Sequence, residues 1–346
     1  MKKIVKLTDI EFNKFKQTNT LDISTFLKCT HAEINNKYLN IPLYKIVLES
    51  TNEEILCKIS KITDKIEFKP VKLSINDFDT FVFDMDGTLL DKTKNIVPAN
   101  LKMLQKLAKD GKNICIATGR AIFMLDKYLD KIPYNKPFLC ANGSMIYDHN
   151  TFKMISNFNI EKSDAYALME KLETLGLGYY VFWSDGLVAF NVENSVDFKT
   201  RNYYEMMPAG KFVLNPERSF LNDKEICKIL VTFDPHQVES LNGFAEYVKK
   251  FPRLQGVQTQ KNFYDVGEPA SKALALCSIA DKYNIDLNKT VAFGDANNDA
   301  PTFDVVALSC APLNSMSNAI DGATYVSPKT SDEDWIATFI EQHLYN

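Results

Sequence analysis

The chain has no C-x-x-C pair, no long apolar run and no concentrated block of lysine and arginine. Each absence removes a class of function. The seven cysteines, Cys29, Cys57, Cys115, Cys140, Cys227, Cys277 and Cys310, are scattered and odd in number. That spacing argues against a zinc site or a disulfide framework. Reduced, mostly buried thiols are expected instead, as in a cytoplasmic protein. No stretch approaches the roughly 20 apolar residues that a bilayer-spanning helix needs. The opening MKKIVKLTDIEF turns acidic at Asp9 and Glu11 before any apolar stretch forms, so it is not expected to act as a signal peptide. A net charge of -4 without a basic face sets aside nucleic acid and anionic membrane as expected partners. There is also no internal repeat and no low-complexity tract.

What remains is ordinary globular material. The 346 residues are 45% apolar and 24% charged, enough for a buried core and about two domains. Residues 1–77 read as short strands with one or two helices. YKIVLES (44–50) and KIEFKPVKLSI (65–75) look extended, and the stretch around Asp22 to Asn36 looks helical. No chemical motif falls there.

From residue 79 the pattern is that of alternating strands and helices. Phe81-Val82-Phe83 forms a short apolar strand and ends on two aspartates and a Gly-Thr turn. Leu101, Leu104 and Leu107 give helical spacing over 97–110, with Pro98 in the first turn and Gly111 at the end. NICIATG (113–119) is a second strand, AIFMLDKYLDKI (121–132) a helix, and FLCANGS (138–144) a third strand and turn. A helix over 271–283 and the strand TVAFGD (290–295) resume the pattern. Such alternation predicts a doubly wound parallel sheet, an α/β fold. Between about 150 and 262 the segments TFKMISNFNI, GLGYYVFW, GLVAFNV, ICKILVTFD and GVQTQ read as antiparallel strands. SDAYALMEKLETLG and HQVESLNGFAEYVKKF read as helices. The expected organisation is an N-terminal α+β extension (1–77), an α/β core (78–150 and 263–346) and an inserted α+β domain (151–262).

In an open α/β sheet the ligand lies beyond the carboxyl ends of the strands. The polar groups there are Asp84 and Asp86, Thr118 and Arg120, Asn142, and Asp295 and Asp299. Asp84 and Asp86 stand two apart, so in extended chain both side chains point to one face. Two carboxylates on one face repel unless a cation lies between them, and Mg²⁺ with its oxygen ligands suits that role. A carboxylate nucleophile forms an acyl-phosphate, which divides one hard displacement into two easier ones.

These motifs carry a resemblance. FDMDGTLL (83–90) resembles the first motif of the haloacid dehalogenase superfamily, ATGR (117–120) the second and GDANND (294–299) the fourth, with Lys272 where the lysine of the third falls. The resemblance implies a Rossmann-like core and a phosphatase that forms an aspartyl-phosphate. It implies Asp84 as nucleophile and metal ligand, and Asp86 as general acid then base with its backbone carbonyl on the metal. Thr118 and Lys272 would hold the phosphoryl group. Asp295 would ligate Mg²⁺, and Asp299 would ligate or orient it, with Asn298 alongside. The insertion resembles the C2-type cap of the Cof-like branch, and CANGS (140–144) its asparagine-glycine turn. That places Gly119, Arg120, Asn142, Gly143 and Asn298 near the substrate. The resemblance covers residues 78–346. Ala300-Pro301-Thr302 depart from the branch, with Pro301 expected to begin a helix, which implies altered packing rather than lost chemistry, and SCAPLNSMSNAI (309–320) departs from its glycine-rich form, which implies a changed loop beside the metal.

Plainer roles are weighed against these. A lone D-x-D is most often a pair of turn aspartates, and four motifs in order are what change the balance. Arg120 suits a structural ion pair as well as a ligand contact. Tyr179, Tyr180, Phe182 and Trp183 read as cap core, Arg201, Tyr203 and Tyr204 as a solvated face, and His31, His149, His236 and His343 as surface residues. The expected substrate is a small phosphorylated metabolite, a sugar phosphate first. The rivals are a phosphomannomutase-like phosphomutase, which would need a second phosphate site in the cap, and a non-catalytic sensor. Residues 1–77 leave three roles open: recruiting a protein partner, self-association, or gating the cap.

Overall fold

The computed structural model describes residues 4–18, 44–48, 54–62, 65–70, 72–148, 150–151, 153–200, 207–260 and 262–345. The helix expected around Asp22 to Asn36 lies outside them, as do Cys29, His31, His149, Arg201, Tyr203 and Tyr204. The chain divides into two compact units. One comprises Met1–Cys115, Pro133–Asn135 and Cys277–Asn346, and the other Ile116–Ile132 and Lys136–Leu276. These cuts fall elsewhere than at residues 77, 150 and 262.

The first unit is built on a five-stranded sheet in the order Tyr325–Val326, Leu308–Ala311, Thr290–Phe293, Thr80–Phe83, Asn113–Ile116. Strands 80–83, 290–293 and 308–311 are buried at every position. Strands covered on both faces read as unbroken apolar runs, which is why FVF and VAF stand out in the sequence. Thr290 to Phe293 lie parallel to Thr80 to Phe83, residue for residue. The rings of Phe83 and Phe293 stack at 4.9 Å. Trp335 and Phe339, on helix Trp335–His343, meet Phe293 edge-on at 5.6 and 6.0 Å. Helix Pro98–Lys109 buries Met103, Leu104 and Leu107, and Gly111 follows it at φ +77°. The fully buried Asn100 ties the two helices: its Nδ2 donates to the Glu333 carbonyl and its Oδ1 accepts from Ala337 N–H.

The same unit carries a four-stranded sheet of Ile4–Leu7, Tyr44–Leu48, Glu54–Ile62 and Lys65–Pro70. Its first pair is parallel and the others antiparallel. Phe12 and Phe15 are the buried residues of helix Asp9–Thr18. Of the stretch 65–75 read as extended, Lys65–Pro70 is a strand and Ser74 is still extended, and Ser74 and Asp77 then close a reciprocal capping box around the turn Ile75–Asp77.

In the second unit, strands Phe138–Cys140, Met145–Asp148 and Lys153–Asn157 form an antiparallel sheet. Ala117 bridges Leu139 in parallel. A six-stranded sheet follows in the order Phe212–Leu214, Gly186–Phe190, Gly178–Trp183, Ile226–Thr232, Phe263–Gly267, Gln255–Gln260. It is antiparallel except that 212–214 runs parallel to 186–190. Strands 212–214 and 263–267 were not anticipated, and the second carries the sheet past residue 262. Leu168, Met169, Leu172, Leu241 and Phe244, from helices Lys162–Thr174 and Val238–Val248, share one core with Tyr179, Val181, Ile229 and Val231. Tyr179, Tyr180, Phe182 and Trp183 are buried, as expected of cap core.

Two expectations are corrected. Residues 121–132 do not form one helix: a 3₁₀ turn, Ile122–Met124, precedes a four-residue helix, Asp126–Leu129. Bonds from Met124 N–H to Ala121, Leu125 to Ile122 and Tyr128 to Leu125 all span three residues. Ala121, Phe123, Leu125 and Tyr128 are buried, and bonds that span three residues wind the chain more tightly than an α-helix and seldom run for more than a few residues. His343 is half-buried, with its ring 5.1 Å from Tyr325 and 5.2 Å from Phe339, whereas His236 is exposed. Among the described residues, no helix is long and apolar enough to cross a membrane.

Candidate active site

In the first unit the pairing of two strands brings distant carboxylates together. Asp84 continues strand 80–83, and its N–H donates to the Phe293 carbonyl at 2.9 Å. Asp295 follows the partner strand by two residues. Asp84, Asp295 and Asp299 each present a carboxylate oxygen within 4.8 Å of the others. Asp84 is 5% and Asp299 3% exposed.

The surrounding backbone holds this cluster. Asp299 Oδ2 accepts from the N–H groups of Asp295 and Ala296, both at 3.0 Å. Asp295 Oδ1 accepts from Thr88 Oγ1 at 3.0 Å. The Thr88 carbonyl takes the indole N–H of buried Trp335 at 2.9 Å. Gly87, at φ +83°, passes so close that an added Cβ would lie 2.4 Å from Asp295 Oδ2. At Gly294 an added Cβ would lie 2.5 Å from Asp299 Cβ. Two glycines of the motifs thus make room for the two carboxylates of the fourth.

Three carboxylates at this separation, two of them buried, repel strongly unless a cation joins them. Oxygen donors of this kind fit a hard divalent ion, so the residues suit Mg²⁺. Asp86 is placed differently. Its carboxylate is 38% exposed and lies outside the three-carboxylate cluster, with Oδ1 2.7 Å from Lys94 Nζ. The ligation expected of Asp86 involves its backbone carbonyl, so this separation does not oppose it.

The second unit gathers another expected group. Thr118 N–H donates to the Leu139 carbonyl, Asn142 N–H to the Thr118 carbonyl and Ala141 N–H to the Arg120 carbonyl, at 2.7 to 3.0 Å. These bonds zip the turn after strand 113–116 to the turn after 138–140. Thr118 Oγ1 accepts from Arg120 N–H at 3.2 Å. Ala141, Asn142 and Gly143 all have positive φ, at +49°, +58° and +92°. Asparagine and glycine accept that conformation, whereas at Ala141 it is strained, as at many functional turns. An added Cβ on Gly119 would come 3.1 Å from Asn142 Oδ1, and one on Gly143 2.3 Å from the Ser271 carbonyl oxygen. Gly143 therefore seats the chain just ahead of Lys272, which opens helix Lys272–Ala280 and is 1% exposed. The Arg120 guanidinium sits over the Tyr128 ring at 5.4 Å. Asn298 falls in the turn between Asp295 and Asp299.

Two residues that touch the motif aspartates escaped sequence reasoning, one at Asp295 and one at Asp86. Thr88 lies inside the first motif, and its hydroxyl is the link to Asp295. Lys94 lies in a polar turn whose only signal is Asp91 followed by Thr93 and Asn95. Asp91 Oδ1 accepts from Thr93 N–H, Thr93 Oγ1 and Asn95 N–H at 2.7 to 3.0 Å. Those bonds, the Thr93 hydroxyl first, hold the Asp91 carboxyl below the usual carboxylate range.

Residues 81–340 match the haloacid dehalogenase-like hydrolase family. The chain belongs to that family. It is an enzyme of the family's phosphoric-monoester hydrolase type, in the Cof-like branch. The match leaves the N-terminal four-stranded sheet outside it. A 5-amino-6-(5-phospho-D-ribitylamino)uracil phosphatase, YwtE of Bacillus subtilis, is 28% identical over 282 residues, covering 75% of this chain and 96% of the relative. The pyridoxal phosphate phosphatase YbhA of Escherichia coli is 22% identical over 270 residues, covering 75% and 97%. A haloacid dehalogenase-like hydrolase from Bacteroides thetaiotaomicron shares the fold, with a TM-score of 0.66 at 21% identity over 77% of this chain and 99% of that one.

Proposed function

We propose that this enzyme is a Mg²⁺-dependent phosphatase that hydrolyses a small phosphorylated metabolite, a sugar phosphate first, through an aspartyl-phosphate on Asp84. The observation that carries the reading is the cluster of Asp84, Asp295 and Asp299 within 4.8 Å, beside a second motif aspartate. Asp84, Asp295 and Asp299, with the Asp86 backbone carbonyl, would hold Mg²⁺, which would supply charge neutralisation for the phosphoryl oxygens.

This chain's residues do the rest. Asp84 attacks phosphorus and the P–O bond to the alcohol breaks. Asp86 gives its proton to the departing alkoxide. Thr118 and Lys272 bind the phosphoryl oxygens, the buried ammonium matching their charge. Asp86, now a carboxylate, takes a proton from water, and the hydroxide attacks phosphorus to free Asp84 and inorganic phosphate. Gly119, Arg120, Asn142, Gly143 and Asn298 line the substrate. Sugar phosphates lead, with nucleotide phosphates behind, and the 5-phospho-D-ribityl group in the YwtE name supports a phosphate on a small polyhydroxy carbon chain. Cofactor phosphates follow.

The functional modules remain the extension 1–77, the core 78–150 with 263–346, and the cap 151–262, in an enzyme of the cytoplasm. The extension serves a protein partner or self-association. The described cap arginines, Arg218 and Arg253, favour hydrolysis over a mutase reaction. Arg218 pairs with Glu173, and Arg253 with Glu161 and Glu268, so neither is set aside for a second phosphate.

The test is phosphate release from a panel of sugar, nucleotide and cofactor phosphates, with Mg²⁺ and with chelator. Metal-dependent release without a sugar bisphosphate activator is expected, and Asp84→Asn should abolish it with the fold intact. Substantial turnover by that variant would sink the mechanism.

A further inference from the structure

We propose that Lys94 is a positioning residue that holds one oxygen of the Asp86 carboxyl group, so that the proton given to the leaving group, and later taken from water, sits on the other oxygen. The inference rests on the acid role proposed for Asp86.

Lys94 Nζ lies 2.7 Å from Asp86 Oδ1. The loop between them is tied at both ends by bridges from Asp86 to Leu90 and from Leu90 to Ile96. Its tip is a closed turn. Asp91 N–H donates to the Asn95 carbonyl at 2.9 Å, and Lys94 N–H to the Asp91 carbonyl at 3.0 Å. The Asp91 side chain takes three further donors from Thr93 and Asn95.

Within this turn Lys94 stands at φ +63°, where a residue with a Cβ is strained and glycine is at ease. An exposed ion pair contributes little to stability, and here the two side chains are 52% and 38% exposed. A strained backbone and a braced turn are therefore joined to a contact of small stabilising value. The contact has another consequence: it anchors one oxygen of the carboxyl group two residues beyond the nucleophile as an acceptor, and so leaves the other oxygen to carry the transferable proton. General-acid catalysis depends on that alignment.

Lys94→Gly tests this, because glycine adopts the native φ while removing the ammonium. Lys94→Arg restores a cation. Both are compared with wild type at saturating Mg²⁺ on two substrates. One is the alkyl phosphate that wild type turns over fastest, and the other is p-nitrophenyl phosphate, whose phenolate departs with little protonation. kcat/KM reports transfer to Asp84 in each case. In Lys94→Gly the alkyl-to-aryl ratio of kcat/KM should fall by about 10-fold or more. In Lys94→Arg it should recover to within about threefold. Tm should not fall, and the Mg²⁺ concentration for half-activation should not move. An unchanged ratio, an equal loss on both substrates, or no recovery with arginine would overturn the inference while leaving the phosphatase reading standing. Absence of phosphate release by wild type would remove both.

Discussion

Gly87→Ala is the sharpest probe of how the carboxylate cluster is built. At φ +83° an alanine costs about 1–2 kcal/mol by backbone conformation alone. Its Cβ would also fall 2.4, 2.7 and 2.9 Å from Asp295 Oδ2, Cγ and Oδ1. Real atoms do not approach so closely, so the Asp295 side chain has to leave. Leaving breaks the 3.0 Å bond from Thr88 Oγ1, and a hydrogen bond to a charged group is worth about 1.5–3 kcal/mol. The combined loss is about 3–5 kcal/mol, and at about 2–4 °C per kcal/mol Tm should drop by roughly 10 °C. Displacing one of three carboxylates should also raise the Mg²⁺ concentration for half-activation by about 10-fold or more, the equivalent of about 1.4 kcal/mol. Gly111→Ala is the control. Gly111 has a similar φ, +77°, but an added Cβ there meets no atom within 4 Å. It should lose only about 1–2 kcal/mol and leave Mg²⁺ activation unchanged. Calorimetry and a Mg²⁺ titration of phosphate release decide the matter. If Gly87→Ala matches the control in both measurements, the packing of Gly87 on Asp295 does not govern the metal site.

Two further outcomes are expected. Burial pushes the Cys227 thiol up to about 12, so at pH 8 it holds almost no thiolate, while Cys277 is exposed. Iodoacetamide followed by peptide mass analysis should label Cys277 and spare Cys227, and labelling of Cys227 in folded protein would contradict its burial. Burial, then the hydrogen bond to Glu173, raises the Tyr179 hydroxyl well above its ordinary range. The unfolded chain, whose tyrosines ionise near about 10, releases that proton first, so stability present below pH 10 should be lost as pH rises above it. Melting curves from pH 9 to 11 should show Tm falling more steeply in wild type than in Tyr179→Phe, and parallel slopes would refute the assignment.

Much of the site was legible because its parts are local. Asp84 and Asp86 share a face by the period of extended chain, and GDANND sets Asp299 four residues from Asp295, close enough for its carboxylate to take the Asp295 N–H. The strands carrying them are short and apolar on both sides, which marks them in any reading of the chain. Lys94 was not legible. A lysine in a polar turn is ordinary, and what sets it apart is a positive φ that only the closed turn imposes.

The sequence by itself determined the α/β class, the inserted antiparallel strands and the identity of the carboxylates, since these follow from side-chain periodicity and from motifs a few residues long. Tertiary structure alone decided the rest. The pairing of strand 80–83 with 290–293 brings Asp84 to Asp295 across more than 200 residues of chain. Bonds spanning three residues gave 121–129 a tighter, interrupted winding, and tilted ring contacts with Tyr325 and Phe339 left His343 half-buried. Periodicity records which face of a segment is apolar. It does not record which distant segment will cover that face, because that choice depends on the packing of the whole core.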